Sequence, residues 1–332
     1  MPVALLSGYL LNGGIGWNSG VWGPACMSVK GIELVNAEGE SIHAGPDQNA
    51  EYYWAARGAG PGFFGVVTRY QLQFQPLPPV MRMSTATYRL EDADLVTEWL
   101  PEVVRTLPPQ VELNCFVASA PPEAQKASDN RPQKLFIVSA VAFADTEADA
   151  LRWLKPIADA PAATDRRLDL NQEASFASLD KLTDQLYREN RRYAADSFTS
   201  NASPKEILSR LHDSILAAPS AESFTLLSLP SPQPPNAPPL PDMAFSMSGS
   251  AFVGLYSLWQ DPAQNAANEQ WVRQTSKLLD PIKVNYYVGE TDLTMGPDHA
   301  RLSYAPANWQ RLQQLKKKYD PQDVFFSYLG QS

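Results

Sequence analysis

The stretch "NGGIGWNSG" at residues 12–20 constrains this chain more than any other. Glycine at positions 13, 14, 16 and 20 lets the backbone take left-handed angles and come close to something flat or charged. It is not a phosphate-binding loop of the lysine-bearing kind, because the lysine and hydroxyl of that motif are missing. Nor is it a dinucleotide fingerprint, since Gly13-Gly14-Ile15-Gly16 does not open a helix. A second cluster, "RGAGPGFFGVVT" at 57–68, feeds straight into a strand. Two glycine-rich turns on either side of a hairpin could offer backbone N–H and C=O groups to one extended ligand. They could equally be tight turns in a compact β subdomain, and the residues alone leave both readings open.

Between and after these loops the chain alternates short elements. "SVKGIELVNAEGESIHAG" reads as a hairpin with Ile32, Leu34 and Ile42 inward. "DQNAEYYWAARGAG" reads as a helical turn with Tyr53 and Trp54 buried, and "GFFGVVTRYQLQFQPLPP" as a strand stopped by prolines. From residue 80 the pattern is strand, helix, strand, strand, helix, with Leu95, Trp99, Val103 and Leu107 at helical spacing in the first helix. That order predicts an α+β fold with mostly antiparallel neighbours. "DKLTDQLYRENRRYAADSF" reads as a charged segment and "LPSPQPPNAPPLPD" as a stiff surface loop. "MAFSMSGSAFVGLYSLWQDP" reads as one long strand, and the chain should close with a strand, a loop, a helix and a short final strand.

Composition removes several classes of partner. A net charge of −9 with no basic stripe argues against nucleic acid. Cys26 and Cys115 are too few for a disulfide framework or a zinc site and read as buried fillers. His43, His212 and His299 are too scattered for a metal cluster, and nothing addresses the chain to a membrane. The expected partner is a small-molecule substrate. Tyr286 and Tyr287 follow Asn285 in "KVNYYVGE", where a tyrosine can serve as general acid or base or can simply pack.

Five blocks carry a resemblance: "SGYLLNGGIGWNSGVWGPACMSV", "VNAEGESIHAG", "YYWAARGAGPGFFGVVTRYQLQ", "VNYYVGETD" and "YAPANWQRLQQLKKKYDPQDVF". In order and spacing, from about residue 4 to 327, they resemble the flavin-dependent oxidoreductases of the vanillyl-alcohol oxidase and p-cresol methylhydroxylase (PCMH) type, in the berberine-bridge-enzyme-like branch. The resemblance implies the second half of a PCMH-type FAD-binding domain over 1–76. It implies a substrate domain, a large antiparallel sheet backed by helices, over 77–284, and a segment returning to the FAD domain over 285–332. It places Gly8, Gly13, Gly14 and Gly16 near the flavin and pyrophosphate, Gly65, Val66 and Val67 by the adenine half, and Asn285 and Tyr286 beside the flavin ring. On "SAFVGLYSLW" the matching side chains are Phe252, Gly254 and Tyr256, none an obvious base, so the proton acceptor would be Tyr286 or Tyr256. "YRENRRY" at 187–193 reads as a solvated helix end rather than a substrate clamp.

The departures from the family set further expectations. The family's earlier subdomain holds the main pyrophosphate loop and often a flavin-linked histidine. Here no histidine precedes His43 and seven residues precede Gly8, so the chain looks like the second half of a flavoenzyme. If it is the whole polypeptide, FAD affinity should be poor and an apolar face exposed. The leading expectation is an FAD-linked oxidase or dehydrogenase of a small alcohol, sugar or alkaloid-like substrate. The alternative is a half-enzyme, needing a separate chain for the N-terminal FAD subdomain, or a non-catalytic binding module.

Overall fold

A computed structural model describes residues 6–121, 133–233, 236 and 239–328. Part of the proline-rich tract at 229–242 therefore lies outside the described residues. The chain divides into two units. One is formed by Val3–Pro76, Pro235–Ser248 and Asn285–Ser332, and is called here the loop unit. The other, the sheet unit, is formed chiefly by Leu77–Pro234 and Gly249–Val284.

The loop unit starts with two short helices, α1 (Leu6–Leu11) and α2 (Ser19–Trp22), on either side of the first glycine loop. Strands β1 (Val29–Val35) and β2 (Ser41–Ala44) form the expected hairpin, with Leu34 opposite Ile42. Gly39, at φ +81°, makes its turn possible, and Asn36 accepts the Glu40 N–H through its side chain at 2.8 Å. Helix α3 (Ala50–Ala55) follows, then β3 (Val66–Leu72), which completes a three-stranded sheet in the order β2-β1-β3. In α3 the buried rings are Tyr52 and Trp54, each 2% exposed. Tyr53, expected inside, instead lies partly exposed, because its hydroxyl reaches back to the Val29 carbonyl at 2.8 Å and Arg57 covers its ring.

In the sheet unit, β4 (Val80–Arg89), α4 (Ala93–Thr106), β5 (Val111–Ser119), β6 (Lys134–Ala144), α5 (Glu147–Ala158), β7 (Arg167–Glu173) and α6 (Phe176–Leu186) come first. Then follow β8 (Arg192–Ser200), α7 (Pro204–Leu216), β9 (Phe224–Ser228), β10 (Ala251–Trp259), α8 (Asn265–Lys277) and β11 (Lys283–Tyr286), of which Asn285 and Tyr286 count with the loop unit. The eight strands run in the order β11-β8-β10-β9-β5-β6-β4-β7. Alternation along each strand sorts side chains to two faces. One row crosses six strands as Ala86, Val138, Cys115, Leu227, Val253 and Phe198, all 0–6% exposed. Each large apolar side chain so buried contributes about 1.5–3 kcal/mol. Cys115 is thus a core filler, its thiol pushed up by burial. Helix α8 covers this face, with Ser257 of β10 donating to Asn268 at 2.8 Å. The next row, Thr87, Ile137, Phe116, Leu226, Gly254 and Ser197, falls on the opposite face.

Several elements differ from their sequence reading. In α4 the buried stripe is Ala93, Val96, Thr97, Leu100 and Val103, and Leu95 is 43% exposed, so the face is rotated from the expected one. Strands β7, β8 and β9 and helix α6 were not anticipated: β7 is an edge strand whose "RLDLNQE" carries the charges that protect an edge, and α6 and β8 share the segment read as charged. The long strand expected from residue 243 is confined to Ala251–Trp259. Its front part instead bonds to α3 and the turn after it, with Ala244 N–H donating to Trp54 O at 3.2 Å and Phe245 N–H to Arg57 O at 2.9 Å.

The chain closes with α9 (Pro297–Arg301) and α10 (Pro306–Tyr319). Among the described residues no final strand follows, because the backbone there is held by Asp320, whose carboxylate accepts from the N–H groups of Val324 and Phe325 at 2.7 and 3.0 Å. Leu312 and Leu315 of α10 join Leu10, Ile32, Leu34, Tyr52, Trp54 and Phe64 in one core, with Tyr319 stacked 5.7 Å from Phe64. No helix among the described residues is long and apolar enough to cross a membrane.

Candidate functional site

The first glycine loop begins where α1 runs out. Asn12 N–H and Gly13 N–H donate to the carbonyls of Gly8 and Leu10, at 3.2 and 3.1 Å, and the chain then turns left-handed at Gly13 (φ +100°) and Gly14 (φ +76°). The freed carbonyls of Gly13 and Gly14 accept from Cys26 and Ala25 N–H, each at 2.8 Å. These contacts pin the loop from the side of residues 25–26. Buried Cys26 touches Met243 sulfur to sulfur at 3.7 Å, and burial pushes its thiol up to about 12.

The glycines are needed for different reasons. A Cβ on Gly13 would lie 2.3 Å from the Phe245 ring, and one on Gly14 would meet Tyr9 and Ala25 at 2.8 and 2.9 Å. At Gly16 a Cβ would be 2.4 Å from the Tyr9 hydroxyl. Gly8 alone of the four faces open space, with nothing within 4 Å. Gly65 serves the hairpin sheet, since its Cβ would strike Leu34 at 2.6 Å. Val67 pairs with Leu34 and Val66 with Val35, and Val66 is 54% exposed.

The rear of the chain reaches this loop through Tyr287, which the sequence offered, with Tyr286, only as an acid or base or a packing residue. Its hydroxyl accepts the Gly14 N–H at 3.3 Å and also the Ile15 N–H. Burial raises the phenol far above the ordinary tyrosine range, so it stays neutral. Asn285 is 8% exposed, and its side-chain oxygen accepts the Ser248 N–H at 3.2 Å. Tyr286 donates its N–H to Leu302 O at 3.2 Å and stacks on His299 with centroids 4.1 Å apart, while His299 Nδ1 lies 3.0 Å from the Thr291 hydroxyl. His299, dismissed at the sequence level for its isolation, is therefore the ring beside Tyr286.

A strap, residues 242–248, ties these pieces together. Trp54 Nε1 donates to the Asp242 carboxylate at 2.7 Å, Arg57 to the Asp242 carbonyl at 2.6 Å, and Asn308 to the Met243 carbonyl at 3.0 Å. Burial acts to raise the Asp242 carboxyl, but Arg311 and Trp54 outweigh it and hold it below the usual carboxylate range. The strap carries Phe245 against both Gly13 and Gly58, and Ser248 to Asn285.

Tyr256 belongs to the sheet unit. It is 1% exposed and stacks on Phe224 at 4.7 Å with Tyr187 edge-on at 5.4 Å. Its ring folds back over Gly254, where a Cβ would come within 2.4 Å of it. With Phe252 and Gly254 it points to the face opposite α8. Of "YRENRRY", Tyr187 and Tyr193 pack on Tyr256, and Arg191 pairs with Glu222 at 2.6 Å.

Among the described residues no group of His, Cys, Asp and Glu could hold a metal. The fit to a flavin rests on two features. The loop N–H groups at 14 and 15 are engaged by Tyr287, so this loop is no pyrophosphate cradle. Asn12 Oδ1, however, is buried without a donor, and its amide is oriented by Nδ2 bonding to Gly8 O at 2.7 Å. A flavin ring carries an N–H that such an acceptor suits; Asn12 Oδ1 lies on the side of Gly60, where a Cβ would come within 2.4 Å of it, while Gly8 faces open space.

The family model described as "Berberine and berberine like" matches residues 286–330. Over 323 residues the chain is 27% identical to the FAD-linked oxidoreductase janO of Penicillium janthinellum, covering 96% of this chain and 68% of that protein. It is 29% identical over 326 residues to the FAD-linked oxidoreductase nodO of Hypoxylon pulicicidum, covering 95% and 67%. The chain thus spans about two thirds of the length of these relatives. The structure of Physcomitrella patens BBE-like 1 superposes with a TM-score of 0.77 at 15% identity, covering 98% of this chain and 70% of that one. The C-terminal match, the relatives along nearly the whole chain and the shared fold together make this protein similar to the berberine-bridge-enzyme-like FAD-linked oxidoreductases.

Proposed function

We propose that the chain binds the isoalloxazine end of FAD on the loop unit and oxidises a small alcohol, sugar or alkaloid-like substrate. When bound, FAD would supply the hydride-accepting chemistry. Asn12 Oδ1 and the open side of Gly8 would receive the ring, with the loop held behind them by Tyr287 and Phe245. Tyr286, 7% exposed and stacked on His299, is the group in this unit suited to take a substrate hydroxyl proton. The observation that carries this reading is the meeting of front loop and rear strand at the Tyr287–Gly14 contact. Because the loop offers no phosphate cradle, FAD should bind weakly to this chain alone.

The test is a fluorescence titration of the purified chain with FAD and riboflavin, followed by dye reduction with a panel of alcohols, sugars and benzylisoquinolines. Saturable quenching by both flavins and substrate-dependent dye reduction are expected. No quenching at any concentration would sink the proposal.

A second reading is favoured by exposed apolar side chains. Leu6, Val66 and Phe74 of the loop unit are 55%, 54% and 84% exposed, an apolar set suited to being covered. On this reading the chain is a half-enzyme that acts only with a separate polypeptide, or a binding module. A clean monomer with little hydrophobic-dye binding would count against it.

A further inference from the structure

Two consecutive backbone N–H groups aimed at one oxygen form the kind of concavity that usually holds an anion. Here Gly14 and Ile15 present that pair, and the oxygen is the hydroxyl of Tyr287. The side chain comes from a residue 273 positions away and is 6% exposed. Its ring also fixes its own strand end, since a Cβ on Gly289 would lie 2.8 Å from the Tyr287 ring and 3.0 Å from Asn12 Cβ. The same phenol therefore touches the glycine loop and packs over the turn that lies against Asn12.

We infer that Tyr287 is the positioning residue of the candidate flavin site, holding the Gly13–Ile15 backbone in its left-handed turn so that Asn12 and Gly8 are presented to the ring. This rests on the FAD reading above and deepens it, giving the Tyr287–Gly14 contact a specific role in that site. On the rear strand Asn285 bonds to the strap and Tyr286 stacks on His299, while Tyr287 reaches the glycine loop. The carbonyl bonds to residues 25 and 26 fix the loop from one side, and Tyr287 fixes its N–H groups from the other.

The test is Tyr287→Phe, which removes the oxygen and keeps the ring. Tyr53→Phe is the control, because it deletes another partly buried phenol bond in the same unit, to Val29 O. Amide exchange at Gly14 and Ile15, the Kd for FAD by fluorescence titration, and the visible circular dichroism of bound flavin are the readouts. Tyr287→Phe should speed exchange at those two amides, raise the Kd about tenfold and change the flavin dichroism, whereas Tyr53→Phe leaves all three as in the parent. Unchanged exchange at Gly14 and Ile15 would overturn the inference, as would faster exchange with unaltered flavin affinity and dichroism. If the parent chain binds no flavin, the FAD reading falls by itself, and the exchange arm still decides whether Tyr287 holds the loop.

Discussion

Glycine does opposite work at positions 8 and 13. Gly8 lies inside α1 with open space around it, so Gly8→Ala should stabilise the fold by about 0.5–1 kcal/mol, as a helix interior prefers. Gly13 combines a left-handed φ with the Phe245 ring 2.3 Å from where a Cβ would sit, so Gly13→Ala should cost at least about 2 kcal/mol. Urea unfolding of the two variants separates them by sign. The sequence shows the glycine cluster plainly, but the reason for each glycine lies with neighbours such as Phe245, 232 positions on from Gly13, which no local pattern reveals. The same holds for the tyrosine pair. Adjacent residues at a strand end diverge, and only the register decides that Tyr286 meets His299 while Tyr287 meets the loop.

At the scale of elements, the β1–β2 hairpin, α4, α5 and strands β4, β5 and β6 were legible because each has a strong period or a turn signature, whereas α6, β8 and β9 were not. The strap was not, since "MAFSMSGS" has the apolar alternation of a strand while its hydrogen bonds go to α3 and the turn after it. Removing its anchor tests that assignment: Phe245→Ala should cost about 2 kcal/mol and speed amide exchange around Gly13 and Gly58. The C-terminal turn offers a pH test. Burial works to raise the Asp320 carboxyl, but Lys316 and the N–H groups of Phe325 and Val324 outweigh it and hold it below the ordinary range. A depressed carboxyl binds its proton less readily folded than unfolded. Its stabilisation is therefore complete above the ordinary carboxylate range and is lost as pH falls through the lower, folded value. Asp320→Asn should cost about 2 kcal/mol at neutral pH, since Lys316 loses its buried carboxylate and keeps only the exposed Asp323 carboxylate at 3.0 Å, and should flatten the acid limb of the stability curve.

For the whole molecule, the two units are assembled differently. The sheet unit takes β4 to β9 from one continuous stretch, whereas the loop unit gathers three segments, the first two separated by 158 residues and the last two by 36. Long loops must close before the loop unit's contacts form, so its core should be the later to gain protection during refolding. Pulse-labelled exchange should show the β5–β6 hairpin protected before the amides of α3 and α10. A late-assembled, ligand-bearing unit is also the one a ligand stabilises most directly. FAD at a hundredfold excess over its Kd should add about 2.7 kcal/mol to the unfolding free energy of the loop unit. That gain should appear as slower exchange at Asn12 to Gly16, whose backbone the proposed ring would cover. If FAD slows exchange only in the sheet unit, or nowhere, the glycine loop is a turn of the fold and not the floor of a flavin site.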